Sequence, residues 1–507
     1  MPDDVSRAPE PDRLDALRRR LATPLPHPDA AEVRGLGRLT AEWALRYFET
    51  VPEQSVGRTA SRTALEAMLR QAPPESGRPF ADVLADFADK VVPHAFRVNH
   101  PRFLAFIPGA PSVFSVLGEW LCASTNFFNG VWLAAAGPAE VELVVLDWFK
   151  AWVGYPPTAR GLLTSGGSEA NLLALVAARH LLSPGERSRA VLYVTEQRHK
   201  SVDRAASIMG LRPEQVRPVP ADGQFRLTGE SLERAIRQDE AAGRLPWAVV
   251  ANAGATNTGT VDPLRELAEV CHRRPRPLWL HVDAAYGWPA VLVPEGRAAL
   301  DGLAEADSIT LDPHKWFAQT FDAGGLLVRE GHRLAAAFAQ RPDYMQDVFP
   351  GEDEINFSDH GLALTRRFRA LKIWLSVQVL GLDWFRQLID HCCRLAEFAQ
   401  LLLEQTPGFE ILSPRQLSVL CFRHRPPSDD PSVIDRHNRT LAFRLRESGH
   451  AFLATTRLLG RVALRMCFVN WRTTSGDVEV IVEQLASLAA EMSESAPAGR
   501  ELARPPA

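Results

Sequence analysis

Between residues 31 and 90, apolar positions recur at helical spacing: Leu39, Trp43 and Tyr47 fall every four residues and share one face. A Pro/Gly/Ser-rich stretch near Gln71–Pro79 interrupts this helical region. From about residue 91 to 385 the rhythm changes, and short apolar or β-branched runs alternate with helical segments. Gly161–Thr164, Ala190–Val194, Trp247–Val250 and Leu278–Val282 read as strands. Such alternation predicts an α/β fold, a mostly parallel sheet covered by helices. A long helical stretch runs from Arg367 to about Glu404 and is broken near Gly381. Beyond it, strands near Leu417–Phe422 and Val462–Val469 and a helix over about Ser475–Met492 predict a smaller α+β unit. The expected organisation is a helical arm over 1–90, a large domain over 91–385, a small C-terminal domain over 386–492 and a loose Pro/Ala-rich tail over 493–507. Within the arm, residues 1–30 are polar and Pro-rich, with a short basic helix around Leu14–Leu21 that is expected to pack on a partner subunit.

Composition narrows the function classes. Apolar residues form 46% of the 507 positions, enough for a sizeable core and against a largely disordered chain. The net charge of −4 lacks the basic footprint of a nucleic-acid binder. No run of 18 apolar residues occurs, which argues against a membrane span. Met1-Pro2-Asp3-Asp4-Val5 lacks the pattern of a secretory signal, and six cysteines without CxxC or metal-ligand spacing fit the cytoplasm.

Four segments carry candidate chemistry. Thr164-Ser165-Gly166-Gly167-Ser168-Glu169-Ala170-Asn171 follows a strand and opens a helix. Glycines and free N–H groups there suit a phosphate, although the segment alone serves equally as a helix start capped by Ser168. Asp283 stands at the carboxyl end of strand 278–282, where α/β sheets bind ligands, or else caps the next turn. Lys315 lies in Ser308-Ile309-Thr310-Leu311-Asp312-Pro313-His314-Lys315-Trp316, just after another strand. Apolar and aromatic neighbours there would favour the free amine that imine formation needs. His199 follows strand 190–194 and is expected at the same sheet edge.

The order phosphate cradle, histidine, aspartate, lysine resembles the pyridoxal-phosphate-dependent group II amino-acid decarboxylases, of the aromatic-amino-acid and glutamate type, over about residues 90–480. Asp312-Pro313-His314-Lys315-Trp316 and His281-Val282-Asp283-Ala284-Ala285-Tyr286 are the most specific pieces. His199 with Ser201-Val202-Asp203-Arg204-Ala205, and Gly254-Ala255-Thr256-Asn257-Thr258-Gly259 with Asp262, support them. The resemblance implies a type I aminotransferase-like fold with a mostly parallel seven-stranded sheet, the cofactor pyridoxal 5'-phosphate in the large domain, and a homodimer with sites at its interface. It also implies roles. Lys315 would form the internal Schiff base and Asp283 would pair with the ring nitrogen. His199 would stack on the ring opposite Ala285. Gly167 and Ser168 would bind the phosphate with His314 nearby, and Thr256 would line the site.

The segment Phe103–Gly109 resembles the family's substrate side-chain pocket. Phe106 and Pro108, with Trp132 and Phe128 from across the interface, suit an aromatic or large apolar L-amino acid, to be decarboxylated to its amine. The stretch Arg341–Thr365, with Pro350-Gly351-Glu352-Asp353-Glu354, resembles the mobile catalytic loop. Where the family typically carries a tyrosine, counted back from Arg366-Arg367-Phe368-Arg369, this chain has Phe357, a further pocket residue. Phenylalanine has no proton to quench a carbanion, so the alternative outcome is oxidative deamination to an aldehyde. His360 is a second candidate acid, and retained His199 weighs toward the amine.

Overall fold

Seven strands form the larger sheet: β1 (Arg160–Thr164), β2 (Ala190–Thr195), β3 (Val216–Val219), β4 (Leu245–Asn252), β5 (Trp279–Asp283), β6 (Ser308–Leu311) and β7 (Gly324–Val328). Their spatial order is β1-β7-β6-β5-β4-β2-β3. The run from β6 to β3 is parallel, and β7 lies antiparallel to both β1 and β6. This computed structural model describes residues 11–340, 351 and 354–494. Most of the expected tail and loop, including Pro350, Glu352 and Asp353, therefore lies outside the described residues.

The mostly parallel sheet agrees with the pattern of the sequence. β2, β5, β6 and β7 are buried at every position, as strands covered on both faces must be. Two strands escaped the periodicity. β3 contains Pro218 and sits at the sheet edge, where a missing N–H is tolerated. β7 begins with Gly324-Gly325, a weak strand signal. A Cβ on Gly324 would come within 2.4 Å of Gly166 Cα, so the glycine is there for close backbone approach to the loop after β1.

The chain divides into two compact units, Met1–Gln54 with Thr59–Ala95, and Ser55–Arg58 with Phe96–Ala507. In the first, the helix Ala30–Thr50 opens on a capping box of Asp29 and Glu32. Trp43 stacks on Tyr47 at 5.6 Å, as their spacing predicts. Both sheets lie in the second unit. The smaller one is antiparallel, in the order β10-β11-β9-β8, built from β8 (Phe409–Gln416), β9 (Val419–His424), β10 (Ala454–Leu458) and β11 (Arg461–Cys467). Helices Pro431–Glu447 and Ser475–Glu494 accompany it. The helix Ala370–Gln405 breaks its geometry at Gly381, with φ 74°. Among the described residues, no helix is long and apolar enough to cross a membrane.

A buried ion pair ties the second unit together near β1. Arg366 donates through Nη2 to Glu142 Oε1 at 2.5 Å and to the Leu163 carbonyl at 2.8 Å, while Nη1 reaches the Asn129 carbonyl at 3.1 Å. Glu142 also accepts from Leu163 N at 2.8 Å and from Asn129 Nδ2 at 2.7 Å. Both charges are buried and fully hydrogen-bonded, the condition under which an interior ion pair is tolerated. Glu142→Leu leaves the guanidinium buried without its carboxylate. Denaturant unfolding should show a loss of about 3–5 kcal/mol, and a loss below about 1 kcal/mol would contradict the assignment.

Candidate active site

The carboxyl ends of the parallel strands open onto a cavity of about 320 Å³. It is lined by all eight residues expected to hold the cofactor: Gly167, Ser168, His199, Thr256, Asp283, Ala285, His314 and Lys315. A larger cavity, of about 650 Å³, lies elsewhere and contains none of these eight.

Each residue arrives by a strand-to-helix turn. After β1, the helix Gly167–His180 starts with Gly166 at its cap, so Ser168 is not the cap but a first-turn residue facing the cavity. The first N–H groups of a helix lack intrahelical acceptors and face whatever stands before them. Glu169 steadies this loop by accepting from Ser165 N at 2.8 Å and Ser165 Oγ at 2.7 Å. After β2, His199 caps the helix Lys200–Ile208 through Nδ1. His199 is exposed in the single chain, yet the protein packed around its ring pushes the pKa below the ordinary value. Asp283 pulls the other way and Lys315 adds to the lowering.

Asp283 is the last residue of β5. Its Oδ2 accepts from Asn171 Nδ2 at 2.8 Å and its Oδ1 from Ala285 N at 3.2 Å. Lys315 ends the turn after β6 and places Nζ 3.1 Å from Asp312 Oδ2. The aromatic surroundings expected for this amine are corrected here. Trp316 and Phe317 turn into the core, where Phe317 stacks on Phe385 at 4.0 Å, and the amine faces a carboxylate. His314 accepts from Ala323 N through Nδ1 at 3.1 Å, and its ring lies against Gly166. Two buried atoms of the cavity wall, Asn252 Nδ2 and Asp312 Oδ1, have no hydrogen-bond partner among the described residues. An amine, a carboxylate, an imidazole and a glycine-rich helix start around one cavity can hold a planar ring that carries a carbonyl, a basic nitrogen and a phosphate.

The four residues expected in the substrate pocket do not line this cavity. Phe106 is 57% exposed, with φ 55°, and packs edge-on against Phe452 at 5.7 Å. Pro108 is half-buried beside Gly109, where a Cβ would stand 1.7 Å from the Lys315 carbonyl oxygen. This segment therefore backs the lysine turn. Trp132 donates its backbone N–H to Asn356 Oδ1 at 2.9 Å. Phe357 is buried beneath the Arg366 guanidinium, 4.7 Å from its ring centre, and its neighbour Ser358 donates its backbone N–H to the Gly130 carbonyl at 2.9 Å.

Sequence reasoning quoted Asn171, Ser201 and His281 within its motifs but gave them no role of their own. The signal was present for His281, a lone polar residue inside the apolar strand Trp279-Leu280-His281-Val282, since a buried polar group requires a partner. His360 is removed as a candidate acid. It lines the other cavity, and burial with the nearby Arg366 charge pushes its pKa down to about 4.

A protein model of the pyridoxal-dependent decarboxylase conserved domain matches residues 63–425. The chain is 38% identical over 470 residues to an aromatic-L-amino-acid decarboxylase of Bacillus atrophaeus, covering 92% of this chain and 98% of that protein. It is 31% identical over 450 residues to a phenylacetaldehyde synthase of Arabidopsis thaliana, covering 86% and 91%. Among solved structures, Oryza sativa TDC with PLP and tryptamine superposes with a TM-score of 0.88 at 28% identity, covering 93% of this chain and all (100%) of that one.

The state of His360 has a consequence for stability. Folded, it stays neutral down to about 4, whereas an unfolded histidine takes up its proton near 6.5. The unfolded chain thus binds more protons in this window, and stability falls as pH drops through it. The slope from this one group is up to ~1.4 kcal/mol per pH unit. Urea unfolding of the wild type and His360→Gln should show the extra acid sensitivity in the wild type alone.

Proposed function

The chain belongs to the pyridoxal-dependent decarboxylases, lyases that use pyridoxal 5'-phosphate, and we propose that it removes the carboxyl group of an aromatic or large apolar L-amino acid to leave the amine. The observation that carries this reading is the gathering of Lys315, Asp283 and His199 with the Gly167–Ser168 helix start around one cavity. The aromatic substrate class is supported by a relative named for aromatic L-amino acids.

The bound cofactor supplies a sink for the electron pair released when a bond at the amino acid's Cα breaks. In this reading Lys315, whose Nζ lies 3.1 Å from Asp312 Oδ2, would hold the cofactor's carbonyl carbon. Asp283 would pair with the ring nitrogen and favour its protonated form, since an adjacent carboxylate stabilises a cation. Gly167 and Ser168 would bind the phosphate with His314 nearby, His199 would stack on the ring opposite Ala285, and Thr256 would line the site. In this reading Trp132 and Phe128 of a second copy would join Phe106 and Pro108 around the substrate, as a homodimer would allow. Exposed Leu117, Trp120, Leu121, Phe127 and Phe128 offer an apolar surface for such a copy. The six cysteines are unbridged and buried, in keeping with the cytoplasm.

A second reading rests on Phe357. A side chain without a donor hydrogen at this position favours reaction with dioxygen, in which the amino acid, O₂ and water give aldehyde, CO₂, ammonia and hydrogen peroxide. A phenylacetaldehyde synthase among the relatives supports it.

Two measurements test these readings. Lys315→Ala should lose both the yellow colour of the cofactor-loaded protein and CO₂ release, and a wild type that stays colourless with added cofactor would reject the reading. A panel of aromatic L-amino acids assayed together for CO₂, amine, aldehyde and peroxide should give amine as the main product. Phe357→Tyr should raise the amine-to-aldehyde ratio, by up to the ~10²–10⁴-fold typical of a placed general acid. Equal amine yield with and without oxygen removes the oxidative reading.

A further inference from the structure

The direction of every hydrogen bond in one buried chain beneath the cavity follows from its ends. At one end stands the Trp279 indole, which can only donate, and its Nε1–H goes to Ser308 Oγ at 2.8 Å. Ser308 then turns its own hydrogen to His281 Nδ1, also 2.8 Å away. His281 carries its proton on Nε2 and donates it to Asn171 Oδ1 at 2.9 Å, beside the Thr310 hydroxyl at 2.7 Å. At the other end the Asp283 carboxylate only accepts, so the amide nitrogen of Asn171 faces it at 2.8 Å. The second hydrogen of that nitrogen reaches Ser201 Oγ at 2.8 Å. The Ser201 hydroxyl, whose own hydrogen is not used by this bond, stands 2.8 Å from His199 Nδ1. The backbone N–H of Ser201 points to the same Nδ1 at 3.3 Å, and a backbone donor cannot reverse.

We propose that Ser201 and Asn171 are positioning residues that hold His199 as the neutral imidazole with its single proton on Nε2, and that they couple this choice to Asp283. Two donors converge on Nδ1, so a hydrogen there has no room. Nε2–H, the edge left free by the helix cap, becomes a fixed donor toward whatever the cavity holds. Protein packed around the ring lowers its affinity for a second proton, in the same direction. The chain orients without conducting: an amide nitrogen donates a hydrogen bond but gives up no proton at neutral pH, so nothing passes from Asp283 to His199 through Asn171. The consequence for catalysis, a hydrogen bond from Nε2 to the substrate, rests on the decarboxylase reading. The tautomer itself does not.

The test is a solid-state NMR spectrum of the full-length protein labelled with ¹⁵N-histidine, with and without added pyridoxal phosphate. The His199 signals are picked out of the 14 histidines by their absence in His199→Gln. The expected result is two well-separated nitrogens, with the proton on Nε2 and Nδ1 bare. Ser201→Ala should bring the two resonances toward each other as the tautomers mix, and Ser201→Thr, which keeps the hydroxyl, should restore the separation. A proton on Nδ1 in the wild type overturns the proposal, and so does a spectrum of Ser201→Ala identical to it. Should Ser201→Ala fail to fold, the wild-type tautomer still decides. Absence of CO₂ release would count against the proposed function and would leave this readout untouched.

Discussion

The placement of the polar groups at the site depends on one buried amide, that of Asn171. Its oxygen accepts two hydrogen bonds and its nitrogen donates two, to Ser201 and Asp283, so its capacity is filled. An unpaired polar group at that depth is costly, and a filled one is therefore a strong geometric constraint. Through this amide the helix after β1 is pinned to β5, to β6 and to the helix after β2. A shift of any one of these elements breaks a bond at the centre, which is why Asp283 and His199 keep a fixed relation although they lie far apart in the chain.

The parallel sheet supplies the frame for that constraint. Its strand ends deliver one functional residue each to a common edge, the general property of open α/β sheets. The lysine turn is held from behind rather than from the cavity. Gly109 N donates to the His314 carbonyl at 3.3 Å, and Ala323 and His314 exchange two backbone-anchored bonds. The smaller sheet is joined by Tyr286, whose hydroxyl accepts from Ser418 N at 2.9 Å and meets the Ser418 hydroxyl. Tyr286 follows Ala285 in the cavity wall, so a side chain of that wall anchors the turn between β8 and β9.

The segment that carries Phe357 obeys a different logic. Arg366 and Glu142 fasten its far end to β1, immediately before the loop that contains Gly167. The ring of Phe357 lies under that guanidinium, within the range where a cation attracts an aromatic face. A tyrosine hydroxyl at this position would extend the ring from an anchored base. The identity of this side chain is thus a chemical choice made on a rigid support.

Most of the fold was legible in the sequence, because strands buried on both faces must be apolar throughout and helices must repeat near every fourth residue. β2, β4, β5 and the break at Gly381 all announce themselves in this way. The residues that gather around the cavity were legible as well, since a glycine-rich turn, an acid and a lysine each follow a strand. The polar chain through Asn171 and the seat of Phe357 were not. Each joins residues separated by tens to hundreds of positions: Asn171 to Asp283 is 112 residues, and Glu142 to Arg366 is 224. Periodicity records which face of an element is apolar and stays silent on which polar atoms meet once the elements pack. Hydrogen-bond direction is decided by that meeting alone, so the sequence determined the frame and the chemical groups, and only the tertiary structure decided their partners and their orientation.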